Sequence, residues 1–293
     1  MSEASIGTLA VIGVGLIGGS LARALRAAGQ VGRVIGCGRG LANLERAVEL
    51  GVIDAWTHDP AEATREADMV FVAVPLGAVR PVFDAICSAI KPGTVVTDGG
   101  SAKASVVADF TAACPDHLAR FVPGHPIAGT EQGGVEASFA ELYRGRRVIL
   151  TPTAASDPLA LARVRAMWVA CGAEVIEMDI VRHDEVLAAT SHLPHMLAFG
   201  LVDALARMDE HDDIFRFAAG GFRDFTRIAS SNPVMWRDIC IANREALSRV
   251  MGDFVCEMEA LATSIDVGDG ERLLELFDRA KAARDAYVDG PGG

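Results

Sequence analysis

The chain of 293 residues is long enough for two domains at about 150 residues each, and its 51% hydrophobic and 23% charged content excludes disordered, collagen-like and coiled-coil classes. Its 27 Lys and Arg against 39 Asp and Glu leave a net charge of −12, which repels phosphate backbones and anionic lipid. Nucleic acid and membrane surfaces are therefore not expected partners.

No Lys or Arg precedes Arg23, so the basic start of a secretory signal is missing. The apolar run at residues 9–22 is interrupted by glycines and falls short of the ~20 residues of a membrane span. Cys37, Cys87, Cys114, Cys171, Cys240 and Cys256 are widely spaced with no Cys-x-x-Cys, which reads as free thiols in a cytoplasmic protein.

From residue 8 to about 179, β-rich runs alternate with helical stretches. Runs at 9–12, 33–36, 69–74, 94–97, 120–122, 148–150 and 174–178 predict an α/β domain, residues 1–179, built on a doubly wound parallel sheet. Asp59-Pro60 and Asp157-Pro158 each join an N-cap residue to a proline suited to the first helical turn, marking two helix starts. Residues 180–293 read as all helical. Asn232-Pro233 opens a helix whose apolar stripe, from Trp236 through Leu247, Val250 and Met258, continues to Ile265. A stripe that long has more surface than the other helices cover, so a homodimer is predicted.

Gly13-Val14-Gly15-Leu16-Ile17-Gly18 directly follows the first strand and opens a helix that closes at Gly29. Gly13 permits a tight turn, Gly15 lets a pyrophosphate approach the backbone, and Gly18 lets the helix pack closely on the strand. A ribose-reading carboxylate is expected about 20 residues later. The second strand instead ends Gly36-Cys37-Gly38-Arg39, so Gly38 removes the acid and Arg39 is placed to meet a 2′-phosphate. NADP is thereby favoured over NAD.

Ligands of an open α/β sheet bind outside the carboxyl ends of its strands. Val74-Pro75, Asp98-Gly99-Gly100-Ser101-Ala102-Lys103 and the segment from Pro123-Gly124-His125 to Thr130-Glu131 occupy such ends. Val74, Pro75 and Ser101 join Gly13, Gly15, Leu16, Ile17 and Gly18 as predicted dinucleotide contacts. His125, between a glycine and a proline, is placed as a neutral imidazole to take a hydroxyl proton while hydride leaves the same carbon, with Ser101 orienting it. In the helical half, Thr190-Ser191-His192-Leu193-Pro194-His195 puts two histidines on one face. Neither a Cys pair nor a carboxylate at ligand spacing accompanies them, so hydrogen bonding is expected there and no metal. Arg227 is the better candidate to hold a substrate carboxylate, because Asp224 adjoins Arg223.

Taken in order, Gly13-x-Gly15-x-x-Gly18, Gly100-Ser101-x-Lys103, His125-Pro-Ile-Ala-Gly-Thr130-Glu131, Ser191-His-Leu-Pro-His195, Phe225-Thr-Arg227-Ile-Ala229 and Met235-Trp236-Arg237-Asp238 resemble the prephenate/arogenate (cyclohexadienyl) dehydrogenase family of tyrosine biosynthesis. The resemblance implies a Rossmann-type domain, an all-helical dimerisation domain, and NAD(P)-dependent oxidative decarboxylation of prephenate to 4-hydroxyphenylpyruvate, or of arogenate to tyrosine. By it, His125 is the catalytic histidine, Ser101 its orienting partner and Arg227 the carboxylate anchor. Thr130, Glu131, Ser191, His192, His195 and Trp236 match the family's substrate positions. NAD-dependent members of the family carry Asp where this chain has Gly38, which keeps NAD open beside NADP. With motifs running from about residue 8 to 265, the chain is expected to be monofunctional, lacking a chorismate mutase or regulatory segment.

Two other readings fit less of the sequence. The β-hydroxyacid dehydrogenases use a helical-domain lysine, and of Lys91, Lys103 and Lys281 only the last lies in the helical half. A non-catalytic NADP-sensing module has no need of His125, the 191–195 cluster and Arg227 together.

Overall fold

The computed structural model describes residues 6–130, 132–209 and 211–289. Six short apolar strands pair in parallel: β1 (Ile6–Ile12), β2 (Val31–Cys37), β3 (Ala55–Thr57), β4 (Met69–Val72), β5 (Val95–Asp98) and β6 (Phe121–Val122). Their order is β3-β2-β1-β4-β5-β6, which reverses direction between β1 and β4 and leaves a crevice outside the carboxyl ends of those two strands. The crossovers are α1 (Leu16–Ala27), α2 (Leu41–Glu49), α3 (Pro60–Arg65), α4 (Val79–Ile86) and α5 (Ala104–Ala113).

Strand periodicity divides the core. Leu9, Val11, Met69 and Phe71 enter one apolar cluster with Leu21, Leu25 and Trp168, while Ala10, Ile12, Val70 and Val72 enter another with Phe83, Phe110 and Phe121. Asp59 caps α3, and Asp157 caps α6 (Pro158–Ala170), each accepting from the amide two residues on, as their Asp-Pro pairs predict.

Two of the expected runs, 148–150 and 174–178, do not join the main sheet. A separate three-stranded sheet forms from β7 (Gly124–Pro126), β8 (Arg147–Leu150) and β9 (Glu174–Glu177), with β7 antiparallel to β8 and β9 parallel to it. Strands β3 and β7 lie outside the expected runs. A Gly-His-Pro segment has little strand propensity of its own. Side chains pin it: Gly124 donates its N–H to Asp98 Oδ1 at 3.1 Å, and its carbonyl accepts from Lys103 Nζ at 2.6 Å.

Beyond β9 the described residues form α7 (Ile180–Leu187), a π-helical turn (Ala188–His192), α8 (Leu193–Ala206), α9 (His211–Arg216), α10 (Gly220–Thr226), α11 (Pro233–Ala242), α12 (Arg244–Asp266) and α13 (Gly270–Asp289). The single helix expected from Asn232 to Ile265 is two helices, broken at Asn243. Its buried amide is directed to the Asp184 carbonyl at 2.8 Å, a tertiary bond that a continuous apolar stripe does not disclose. Contacts group the chain through Arg244 into one compact unit and the chain from Glu245 into a second. Helices α7 to α11 belong to the first because α7 packs on α5 and α11 on the turn Leu76–Ala78, whereas a division at 179/180 follows the change from strands to helices. Among the described residues no helix is long and apolar enough to cross a membrane, and all six cysteines are free.

Candidate active site

The glycine turn after β1 is a steric necessity at two positions and an opening at the third. Gly13 has φ +102°, and a Cβ there would stand 2.3 Å from the Ala73 carbonyl oxygen; on Gly18 it would stand 2.2 Å from that of Gly13. A Cβ on Gly15 would meet nothing within 4 Å. Gly15 is the N-cap of α1, whose first turn contains no acid and receives no side-chain cap. Open space before unblocked helix amides fits a dinucleotide pyrophosphate.

The other predicted cofactor positions flank this cradle. Leu16 and Ile17 begin α1, and the Ile17 side chain reaches Gly99 after β5. Val74 and Pro75 follow β4, and Ser101 follows β5. At the end of β2 the Gly38 carbonyl is bound by His58 Nδ1 at 2.7 Å, and Arg39 is exposed.

His125 sits on β7, only 9% exposed. Its Nδ1 lies 2.9 Å from His183 Nε2, and His183 Nδ1 lies 2.8 Å from Asp184 Oδ1. Ser101, expected as the orienting partner, makes no hydrogen bond to His125 among the described residues: β7 turns the Nδ1 edge of the ring toward α7. Beneath this chain, Lys103 and Asp98 form a buried ion pair at 2.5 Å, with Asp98 also accepting from the Gly100 amide at 2.7 Å. Burial, with His183, Lys103 and His192 around it, holds the His125 pKa well below the usual histidine value. His125 is therefore neutral and able to accept a proton. Burial pushes the Asp184 carboxyl up, but bonds from His183 and from the amides of Lys103 and Ala104 outweigh it and keep the group ionised.

The helical side brings together most of the predicted substrate residues. The Ser191 carbonyl accepts from His195 Nδ1 at 2.8 Å, so His195 Nε2 carries the lone pair. The His195 ring stacks on Trp236 with centroids 3.6 Å apart, and His192 meets the same indole edge-on at 6.0 Å. Trp236 Nε1 is buried with no hydrogen-bond partner among the described residues. His192 accepts at Nδ1 from the Asn243 amide (3.1 Å), and burial pushes its pKa down to about 4. Burial also lowers the His195 pKa, with nearby Arg227 adding to the effect against the bond to Ser191. Arg227 itself is exposed. Thr130 lies on the exposed loop after β7, its hydroxyl donating to the Gln132 carbonyl at 3.3 Å, and Glu131 lies outside the described residues.

Sequence reasoning missed His183, Asp184 and Asn243. His183-Asp184 is an ordinary dipeptide within a helix, and only the tertiary meeting of α7 with β7 and α5 gives it a role. Among the described residues no three His, Cys, Asp or Glu side chains converge as metal ligands.

Comparison with known proteins identifies the family. Residues 21–177 match the family described as prephenate dehydrogenase, nucleotide-binding domain, and residues 180–279 match prephenate dehydrogenase, dimerization domain. The chain is 39% identical over 278 residues to a cyclohexadienyl dehydrogenase of Zymomonas mobilis, covering 94% of each chain. It is 34% identical over 280 residues to a prephenate dehydrogenase of Bacillus subtilis, covering 95% of this chain and 75% of that one. The crystal structure of prephenate dehydrogenase from A. aeolicus in complex with hydroxyphenyl propionate and NAD+ superimposes with a TM-score of 0.91 at 38% identity, covering 97% of this chain and 99% of that one. Synechocystis arogenate dehydrogenase gives 0.80 at 29% identity, covering 96% and 99%.

Proposed function

The chain belongs to the prephenate dehydrogenase family, and from that premise we propose that it catalyses the nicotinamide-dependent oxidative decarboxylation of prephenate to 4-hydroxyphenylpyruvate through His125. One observation carries the assignment of the base: a neutral, buried imidazole held by its Nδ1 edge at the carboxyl end of the sheet that bears the glycine cradle. When bound, the nicotinamide supplies a hydride acceptor for the carbinol carbon. His125 Nε2 takes the hydroxyl proton as the hydride departs, and the enzyme's remaining task is positioning, because loss of carbon dioxide leaves an aromatic ring.

Arg227 anchors a substrate carboxylate, and Ser191, His192, His195 and Trp236, with Thr130 and its neighbour in sequence Glu131, form the substrate side. Ser101 remains a dinucleotide contact beside Gly13, Gly15, Gly18, Val74 and Pro75. NADP is the preferred cofactor, on the ground that Gly38 offers no acid and Arg39 is exposed beside it. Similarity to proteins named for cyclohexadienyl and arogenate substrates favours arogenate as a second substrate. The protein works in the cytoplasm as a homodimer, residues 1–179 binding dinucleotide and residues 180–293 serving substrate and dimerisation; exposed Met258, Ile265, Leu274 and Phe277 on α12 and α13 supply apolar surface for a second copy. The test is the absorbance of reduced nicotinamide with purified protein and each pairing of prephenate or arogenate with NAD or NADP. Turnover of prephenate is expected, faster with NADP; no turnover of either substrate with tight NADPH binding would return the sensing-module reading.

A further inference from the structure

The hydrogen bonds of His125 have a direction, and it is set at the far end of the chain they belong to. An ionised carboxylate only accepts. Asp184 is held in that form by donors on both oxygens, the Lys103 amide at 2.8 Å on Oδ1 and the Ala104 amide at 2.9 Å on Oδ2. His183 Nδ1 must then carry the proton in its 2.8 Å contact with Asp184, which leaves the lone pair of the neutral ring on Nε2. In the next contact, 2.9 Å away, His125 Nδ1 is the only group left to donate. Neutral His125 therefore keeps its own lone pair on Nε2.

We propose that His183, backed by Asp184, is the positioning residue of the base: it locks His125 in the Nδ1–H tautomer, so that Nε2 is the acceptor presented to the substrate hydroxyl, and it steadies the imidazolium that forms there. This rests on the reading of His125 as the base for prephenate oxidation. In that step the substrate O–H bond breaks, an N–H bond forms at Nε2, and the carbinol C–H electron pair leaves as hydride to the dinucleotide. The positive charge now on His125 faces Lys103 from the start of α5 and the neutral His192 from the π turn. Asp98 is committed to Lys103, so Asp184, reached through His183, is the countercharge. Without the acceptor at Nδ1, the imidazole is free to take the other tautomer and present an N–H where a lone pair is required.

Asp184 is a poor place to test this, because its carboxylate also holds the first amides of α5. Substitution of His183 separates the roles without changing charge. In His183→Gln the side-chain oxygen accepts from His125 Nδ1 and the amide donates to Asp184, preserving both directions; in His183→Leu neither bond exists. The leucine variant should lose roughly 10²-fold or more in kcat, on the scale of acid–base catalysis, with prephenate KM and dinucleotide Kd within about threefold of the parent. Glutamine should recover most of that loss. In the unsubstituted chain, nitrogen-15 spectra of labelled histidine, with His125 identified by its absence in His125→Asn, should show a protonated Nδ1 in the neutral ring, and the leucine variant should show a mixture of tautomers.

Leucine retaining kcat within about threefold, glutamine performing no better than leucine, or a neutral parent ring protonated at Nε2 would each overturn the proposal. If His183→Leu does not fold, the parent spectrum decides by itself. A protonated Nδ1 in a protein that fails to oxidise prephenate would sink the functional reading and leave the tautomer assignment standing.

Discussion

Replacing Lys103 by Met tests whether the buried ion pair pins β7, the strand that carries His125. The Lys103 side chain is fully buried and that of Asp98 is 1% exposed, so removing the ammonium strands a carboxylate away from water. Losing one partner of such a pair costs about 3–5 kcal/mol. Here the amides of Gly100 and Gly124 still donate to Asp98, which points to the lower end, about 3 kcal/mol. At roughly 2–4 °C per kcal/mol for a cooperative unit of this size, the unfolding midpoint should fall by about 6–12 °C. Adding Asp98→Asn removes the stranded charge and should recover part of the loss. Urea unfolding followed by circular dichroism measures all three chains; a loss below about 1 kcal/mol, or no recovery with Asp98→Asn, would refute the view that this pair is charged and pins β7.

His125→Asn should lower kcat by roughly 10²–10⁴-fold with dinucleotide affinity retained, and near-parental kcat would remove His125 as the base. The depressed pKa values of His125, His183, His192 and His195 mean that the unfolded chain binds protons first as pH falls. Stability is therefore full above the unfolded value of about 6.5 and is lost below it, down to about 4 in the case of His192; urea midpoints across that interval check it, and His192→Gln should lessen the fall. Gly38→Asp with Arg39→Ile should move kcat/KM toward NAD by about five- to a hundredfold, the equivalent of a ~1–3 kcal/mol guanidinium–phosphate bond, while prephenate KM changes little. A parent that already prefers NAD would show that Arg39 points elsewhere.

What was legible in the sequence was what local chemistry demands. Gly13 and Gly18 announce themselves because no other residue fits at +102° or against a backbone carbonyl, and the two Asp-Pro caps mark their helices by the same kind of local necessity. Strand β7 was not legible, since Gly-His-Pro is held in place by Asp98 and Lys103, more than a whole helix earlier in the chain. The break at Asn243 was hidden for a similar reason. The apolar stripe stays in phase across it, and the partners that justify a buried asparagine, the Asp184 carbonyl and His192, come from other helices. The sequence singles out His125 but not its partner His183, because spacing along the chain says nothing about which ring edge will face which element.

Seven of the buried polar groups form one continuous run. Asp98 holds Lys103, the Lys103 amide holds Asp184, Asp184 holds His183 and through it His125, and the Asp184 carbonyl holds Asn243, which in turn holds His192 against Trp236. A run of this kind is a weak source of stability, because each group gives up water for a partner of similar strength, and an apolar core of the same volume does as well or better. What it provides is placement. The backbone beside His125 is fixed at Gly124 by one branch, the His125 ring by a second, and the His192–Trp236 aromatic pair by a third. All three meet at Lys103 and Asp184. With His125 as the proposed base and Trp236 as the proposed substrate wall, fixing both from a shared buried origin gives a reaction that needs little beyond position the geometry it depends on.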